Sequence, residues 1–253
     1  MKMRTRIKRY AVISDLQVPF HDLKATANIA AFIKRWKPDE VLCVGDELDL
    51  PMLGKFNRGK PQEYVDSIGR DRDTCTEVLW SLGVTQLVRS NHQARLYDSI
   101  STRLPALLGL PELEYENFLR LDEIGVKFHR KPFEINKSWI MVHGDQQAIK
   151  PQGGLTALEA ARRHGKSVVC GHTHRQGISS FTEASGGKLG RTLVGFEVGH
   201  LTAEGSRGMA YTSGTQNWQK GFGIMYVEKD KVTPVLVPVE RDGSFVVEGK
   251  RYG

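Results

Sequence analysis

Five short clusters of metal-capable side chains recur along the first two thirds of this 253-residue chain. They are Ser14-Asp15, Gly45-Asp46, Asn91-His92, His143-Gly144-Asp145 and Gly171-His172-Thr173-His174. Each follows a short apolar run, at residues 10–14, 40–44, 85–89, 139–142 and 167–170, that reads as a buried strand. In an open α/β sheet the carboxyl ends of the strands share one edge, and ligand crevices form there. Five polar clusters at five strand ends should therefore converge. Asp, Asn and His offer oxygen and imidazole donors without thiolates, a mixture that suits Mn, Fe, Zn or Ni better than Ca or Mg. The candidates are too many for one ion. Two divalent ions roughly 3.5–4 Å apart, bridged by one carboxylate, would use them, and would lower the pKa of a bridging water while clamping phosphate oxygens. A histidine left over could then protonate a leaving oxygen. Taken singly, each cluster has a plain reading as a capped turn or a loop residue; their order and placement carry the inference.

The elements that must position these clusters alternate through the first half. Residues 24–36 read as a helix with Ile29, Ile33 and Trp36 on one face, broken at Pro38-Asp39. Residues 64–82 read as a second helix closed by Gly83, and residues 94–124 as helical with breaks at Pro105 and Pro111. Strand–helix alternation implies right-handed crossovers and a mainly parallel sheet. Residues 126–129 add a strand, and 157–164 a short helix. The last third changes character: 177–181, 192–198, 222–228, 232–239 and 244–247 read as strands separated by turns. That pattern predicts a second, mixed or antiparallel sheet. The expected fold class is α/β, a four-layer sandwich of two mixed β-sheets flanked by helices, as one domain over residues 1–253. Residues 199–221 form a polar, Gly-rich loop of the kind that often carries function. Within it, Trp218 and Tyr211 read as packing residues or as pocket wall.

Composition narrows the setting. No run approaches the roughly 18 apolar residues of a membrane-crossing helix, and the basic N-terminus lacks a signal-peptide apolar segment. The expected location is the cytoplasm, with no membrane partner. Three cysteines, Cys43, Cys75 and Cys170, without paired spacing exclude a disulfide framework. A net charge of +7 fits a phosphate-rich partner, or simple solubility. The one basic cluster, Lys2, Arg4, Arg6, Lys8 and Arg9, reads as the solvated face of a first strand or a frayed end. There is no phosphate-binding G-x-x-x-x-G-K-[ST] loop, no G-x-G-x-x-G and no G-x-S-x-G nucleophile elbow. No feature points to a particular oligomeric state.

With these residues in view, the chain resembles the calcineurin-like metallophosphoesterases. Their pattern is D-x-H, G-D-x-x-D, G-N-H-[DE], a lone H, then G-H-x-H. The matching stretches are Asp15-Leu16-Gln17, Gly45-Asp46-Glu47-Leu48-Asp49, Ser90-Asn91-His92-Gln93, His143, and Gly171-His172-Thr173-His174. The resemblance implies one metal held by Asp15, position 17, Asp46 and His174, and a second by Asp46, Asn91, His143 and His172, with Asp46 bridging. It implies two divalent ions, manganese first, with Fe, Zn or Ni as other candidates. His92 would be the general acid or would steady the scissile phosphate, with Asp49 orienting it or a ligand.

Three departures bear on this. Gln17 stands where the family usually has His; its carbonyl can bind a metal more weakly, and His21 four residues on is the other candidate. The third motif reads Ser-Asn-His-Gln. The Ser/Thr protein phosphatases of the superfamily use G-D-x-V-D-R-G and L-R-G-N-H-E, whose two arginines hold a dianionic monoester. Here Leu50 occupies the first arginine position and Arg89 the second. A diester carries less charge and needs less clamping. The sequence thus points to a phosphodiesterase acting on a nucleotide, cyclic nucleotide or nucleic acid. A phosphomonoesterase or protein phosphatase, or a non-catalytic nucleic-acid-binding relative, are the alternatives.

Overall fold

The computed structural model describes residues 6–54, 57–65, 67–209 and 215–253. Two sheets carry the molecule, and strand period explains how they stack. In β1 (Lys8–Ile13), Tyr10 and Val12 point into one apolar cluster while Ala11 and Ile13 point into another. The same alternation recurs in β2 (Glu40–Cys43), with Leu42 on the first side and Val41 and Cys43 on the second. Successive side chains leave a strand on opposite faces, so the first sheet is covered on both.

The first sheet runs β11-β10-β1-β2-β3-β4, where β3 is Gln86–Val88, β4 Lys127–His129, β10 Gly221–Glu228 and β11 Lys231–Pro238. Strands β1 to β4 pair in parallel; β10 runs antiparallel to β1, and β11 to β10. The second sheet runs β5-β6-β7-β9-β8, with β5 Phe133–Asn136, β6 Trp139–Met141, β7 Ser167–Cys170, β8 Gln176–Ser185 and β9 Lys188–Val198. Between the sheets pack Tyr10, Val12, Leu42, Val44 and Val88 from one side and Trp139, Met141, Val169, Phe196 and Val198 from the other. The outer face of the first sheet meets α1 (Leu23–Trp36) and α3 (Ile68–Ser81); that of the second meets α6 (Leu155–His164) through Ala157, Ala160 and Ala161. This is the four-layer order expected.

Several local expectations need correction. The strands of the last third do not form a sheet of their own. β8 and β9 complete the second sheet, whereas β10 and β11 return to the first. The reason lies in β10: five consecutive buried residues, from Gly221 to Met225, need cover on both faces, and the open edge of β1 between two cores supplies it. The helix expected at 64–82 is two, α2 (Gln62–Val65) and α3, because Ser67 caps α3 by accepting from the Arg70 N–H. The middle segment is α-helical only in α4 (Asn91–Arg103) and the short α5 (Tyr115–Phe118); Pro105 and Pro111 each open a single 3₁₀ turn, and a third 3₁₀ turn covers Leu121–Ile124. The strand expected at 244–247 is β12 (Phe245–Val247); β5, and β13 (Lys250–Tyr252) that pairs with β12 in a small hairpin, escaped the pattern reading. Cys43, Cys75 and Cys170 are buried free thiols, as expected. No helix among the described residues is long and apolar enough to cross a membrane. Lys8 and Arg9 begin β1, while Lys2 and Arg4 lie outside the described residues.

Two features bring the strand ends of both sheets together. One is the small size of Gly171, where a Cβ would overlap Ser14 Oγ and Asp15 Oδ2. The other is Glu197 on β9, fully buried, which accepts from the Thr156 and Ala157 N–H groups at the start of α6 (2.9 and 3.1 Å) and from the Thr173 hydroxyl (2.6 Å). One carboxylate thus caps a helix and pins the turn bearing His172 and His174.

The core and the close approach each make a prediction. Phe32 is fully buried, and its ring packs against Trp36, Phe222, Phe245 and Tyr252. Phe32→Ala should cost about 3–5 kcal/mol in a denaturant titration. Gly171→Ala should lower the melting temperature markedly, because the added methyl must part the ends of β1 and β7; an unchanged melting curve would contradict that packing.

Candidate metal centre

All five expected clusters meet at one edge, and the backbone there is unusual. Asp15, Gln17, Asp46, His172 and His174 all have left-handed backbone, with φ of +49, +49, +51, +65 and +57°. Non-glycine residues visit this region rarely, at a cost of order 1 kcal/mol or more each, and such residues gather where function holds them. Here neighbouring strand ends hold them. The Asp15 N–H donates to Gly45 O (3.2 Å), Gln17 N–H to Asp46 O (2.8 Å), and Gly171 N–H to His143 O (3.0 Å). Leu201 and Gln219 reach the same edge: Leu201 N–H donates to Asp15 O (3.2 Å) and Gln219 N–H to His174 O (2.8 Å). Gly45, at φ +102°, must lack a side chain, since a Cβ would sit 2.7 Å from Ser90 Cβ and 2.9 Å from His143 Nδ1.

The side chains form two linked groups. In the first, ligand atoms of Asp46, His143 and His172 lie within 4.8 Å of one another. His143 Nε2 is 3.3 Å from Asp46 Oδ2 and 2.8 Å from Asn91 Oδ1, and Nδ1 faces Val44 O at 2.8 Å. In the second, His174 Nε2 lies 3.2 Å from Asp15 Oδ1 and 3.2 Å from Gln17 Nε2. The His172 N–H donates to Asp15 Oδ2 at 2.9 Å, which ties the groups together. Asn91 and His92 open the first turn of α4 rather than sitting in a preceding loop. The Gln93 side chain reaches back to accept from the Ser90 N–H (3.0 Å) and donates to buried Glu47 (3.1 Å), which explains the Ser-Asn-His-Gln wording.

Electrostatics follow from burial. Burial alone would raise the Asp46 carboxyl, but the imidazoles of His143 and His92 hold it well below its ordinary value. Asp15 is likewise held low by His174 against its burial. Burial works to lower His143, yet the Asp46 carboxylate lifts it to about 9. His172 is lowered by burial and by His143.

The donor set fits divalent cations. Asp15 Oδ1 and His174 Nδ1 are buried without a hydrogen-bond partner, although Oδ1 faces His174 Nε2. Two acidic oxygens and three imidazoles pressed together without full hydrogen bonding are what ligands of a cation look like. The orientation of Gln17 matters here: its nitrogen faces His174 while its oxygen accepts from the Thr202 hydroxyl at 3.4 Å, so ligation through the carbonyl requires the amide to turn over. His21, the other candidate at this position, is buried and bridged to Thr202 through its backbone, and its Nδ1 has no hydrogen-bond partner.

Beside the centre stands His92, with Nε2 3.5 Å from Asp46 Oδ2 and Nδ1 facing Asp49 Oδ1 at 3.1 Å. Gln17, Asp46, Asp49, Asn91, His92, His172 and His174 all line one cleft of about 520 Å³. Arg89 does not line it; it reaches Asp145 at 3.4 Å in an adjoining hollow. Three neighbours were not expected from sequence. Arg95 lines the cleft one helical turn beyond His92, a spacing that the helix reading of this segment could have exposed. His200 packs its ring 5.2 Å from that of His174, and burial with His174 beside it lowers it to about 3. Glu197 acts from behind the turn. The Trp218 ring packs tilted against that of His174, with centroids 5.0 Å apart, while Tyr211 lies outside the described residues.

The chain is 35% identical over 252 residues to the Gene 54 protein of Mycobacterium phage D29, covering 96% of this chain and 97% of that one. It is 34% identical over 253 residues to the Gene 54 protein of Mycobacterium phage L5, covering 96% and 98%. No family model matches. Among solved structures, Vps29 of Chaetomium thermophilum superposes with a TM-score of 0.51 at 14% identity, covering 97% of this chain and 98% of that one. The chain belongs to the family of these mycobacteriophage Gene 54 proteins and has the fold of the calcineurin-like metallophosphoesterases.

Proposed function

We propose that this chain is a metal-dependent phosphoesterase whose substrates are phosphodiesters of nucleotide or nucleic-acid type. The observation that supports this most is the convergence of Asp15, Gln17 and His174 with Asp46, Asn91, His143 and His172 in two touching groups at the base of one cleft. In this reading those seven residues hold two divalent ions, with Mn the first candidate and Fe, Zn or Ni the others. Bound there, the ions would polarise phosphate oxygens and make a coordinated water acidic enough to attack near neutral pH.

The chain's own residues do the rest. Asp46 and Asp15 supply the buried negative charge, and the strained turns hold their oxygens in place without reorganisation. His92, which lines the cleft with Asp49 beside it, would give a proton to the leaving oxygen. The diester preference rests on charge. Leu50, at the position where the protein phosphatases carry an arginine, is fully buried and contributes nothing to the cleft. Arg89 is turned to Asp145. The arginine pair that would clamp a dianionic monoester is therefore not assembled in the family's manner.

The test strips the metal, restores Mn²⁺, and compares bis(p-nitrophenyl) phosphate with p-nitrophenyl phosphate. Metal-dependent turnover with the diester preferred is the expected result. Asp46→Ala and His172→Ala should each lower kcat/KM at least about a thousandfold while keeping a native circular-dichroism spectrum. A monoester preference would shift the reading to a phosphatase. Nucleic-acid binding with no turnover in any metal would favour the non-catalytic alternative, and full activity in both variants would remove the site assignment.

A further inference from the structure

Among the described residues, Arg95 is, with Arg207, one of two arginines that line the cleft. It rises from α4 three residues after His92, and its side chain is 29% exposed, enough to reach solvent from a fixed base. One guanidinium nitrogen holds Asp49, donating to the backbone carbonyl and to the Oδ1 carboxylate oxygen at 3.0 Å. The other lies 2.8 Å from His92 Nε2. Arginine has five donors, no acceptor, and does not deprotonate in proteins. The contact therefore requires the His92 Nε2 lone pair to accept, and it leaves the ring proton on the Asp49 side. As placed, Arg95 occupies the nitrogen from which His92 would serve a substrate.

An arginine whose second fork tooth is spent on an imidazole lone pair has a stronger partner available. A phosphate oxygen carries formal charge, and charge-assisted hydrogen bonds from a guanidinium are roughly twice as strong as neutral ones. The Asp49 contacts would stay as the anchor while the outer nitrogen changes partner. We propose that Arg95 is a substrate-binding residue: its outer guanidinium nitrogen exchanges His92 Nε2 for a non-bridging phosphate oxygen, which supplies the positive charge absent at Leu50 and leaves His92 Nε2 open to the cleft. This rests on the phosphoesterase reading above, and it replaces an arginine on the G-D-x-x-D turn with one on the helix that carries Asn91 and His92.

The experiment compares Arg95→Ala and Arg95→Lys with the unsubstituted Mn²⁺-loaded protein. It reads KM and kcat on bis(p-nitrophenyl) phosphate, and binding of inorganic phosphate by calorimetry, which needs no turnover. Arg95→Ala should raise KM and weaken phosphate binding about tenfold or more. Millimolar guanidinium should restore part of the lost kcat/KM, and Arg95→Lys should fall between, since it keeps the charge but not the fork. A purely structural Arg95 would lower the melting temperature and kcat while leaving KM, phosphate affinity and guanidinium response unchanged, and that pattern would overturn the proposal. The two readings separate cleanly. An inactive unsubstituted protein defeats the phosphoesterase reading, whereas phosphate affinity that is equal in the unsubstituted and Arg95→Ala proteins, active or not, defeats this one.

Discussion

Two carboxylates buried side by side at the ends of β1 and β2 set the terms for the rest of the molecule. Asp15 is fully shielded from solvent and Asp46 nearly so. Removing such groups from water costs several kcal/mol each unless positive charge or hydrogen bonds compensate. The compensation arrives from distant segments: His143 and His172 from the second sheet, His174 from the turn beyond β7, and His92 from the start of α4. Each must reach the same small volume. That demand accounts for the left-handed turns, for the glycines at 45 and 171 that let strand ends approach, and for Glu197 holding the histidine turn from behind. It also accounts for a close-packed interior between the sheets, because a site assembled from both sheets is only as exact as their mutual packing.

The cleft above the centre has a division of labour. Its floor is imidazole and carboxylate, suited to cations. Its wall carries Arg95, Arg207 and Phe20, suited to a charged group attached to something flat or apolar. A cation-holding floor beneath a cationic wall is the electrostatic arrangement an anion bridging the two would complete. The Asp49–His92–Arg95 chain lies where floor meets wall, so a group bound there would meet His92 and Arg95 together.

Much of this was legible in the residues. The strand ends announced themselves because short apolar runs each stopped at Asp, Asn or His, and parallel topology puts such ends together whatever the loops do. Helix α1 was equally plain. What escaped was settled by long-range contact. That β10 joins β1, rather than its sequence neighbours β8 and β9, depends on which edge is open between two cores, and no local pattern encodes that. The split between α2 and α3 turned on one serine acting as a cap. Arg95 was visible as a residue on a helix, yet its direction depends on Asp49 forty-six positions earlier. His200 had no signal at all, since a histidine in a Gly-rich loop looks the same whether it faces water or packs on His174. Which of Gln17 and His21 faces His174 depends on the turn after β1, which aims Gln17 there.

The most direct test is a count of ions. Stripped protein titrated with Mn²⁺ by calorimetry, checked against elemental analysis of the loaded chain, should bind two ions per chain, and Asp46→Ala should lose affinity for both because its carboxylate is expected to serve each. One ion or none in the unsubstituted protein, or two ions bound as tightly by Asp46→Ala, would contradict the account of a dinuclear centre built on these strand ends.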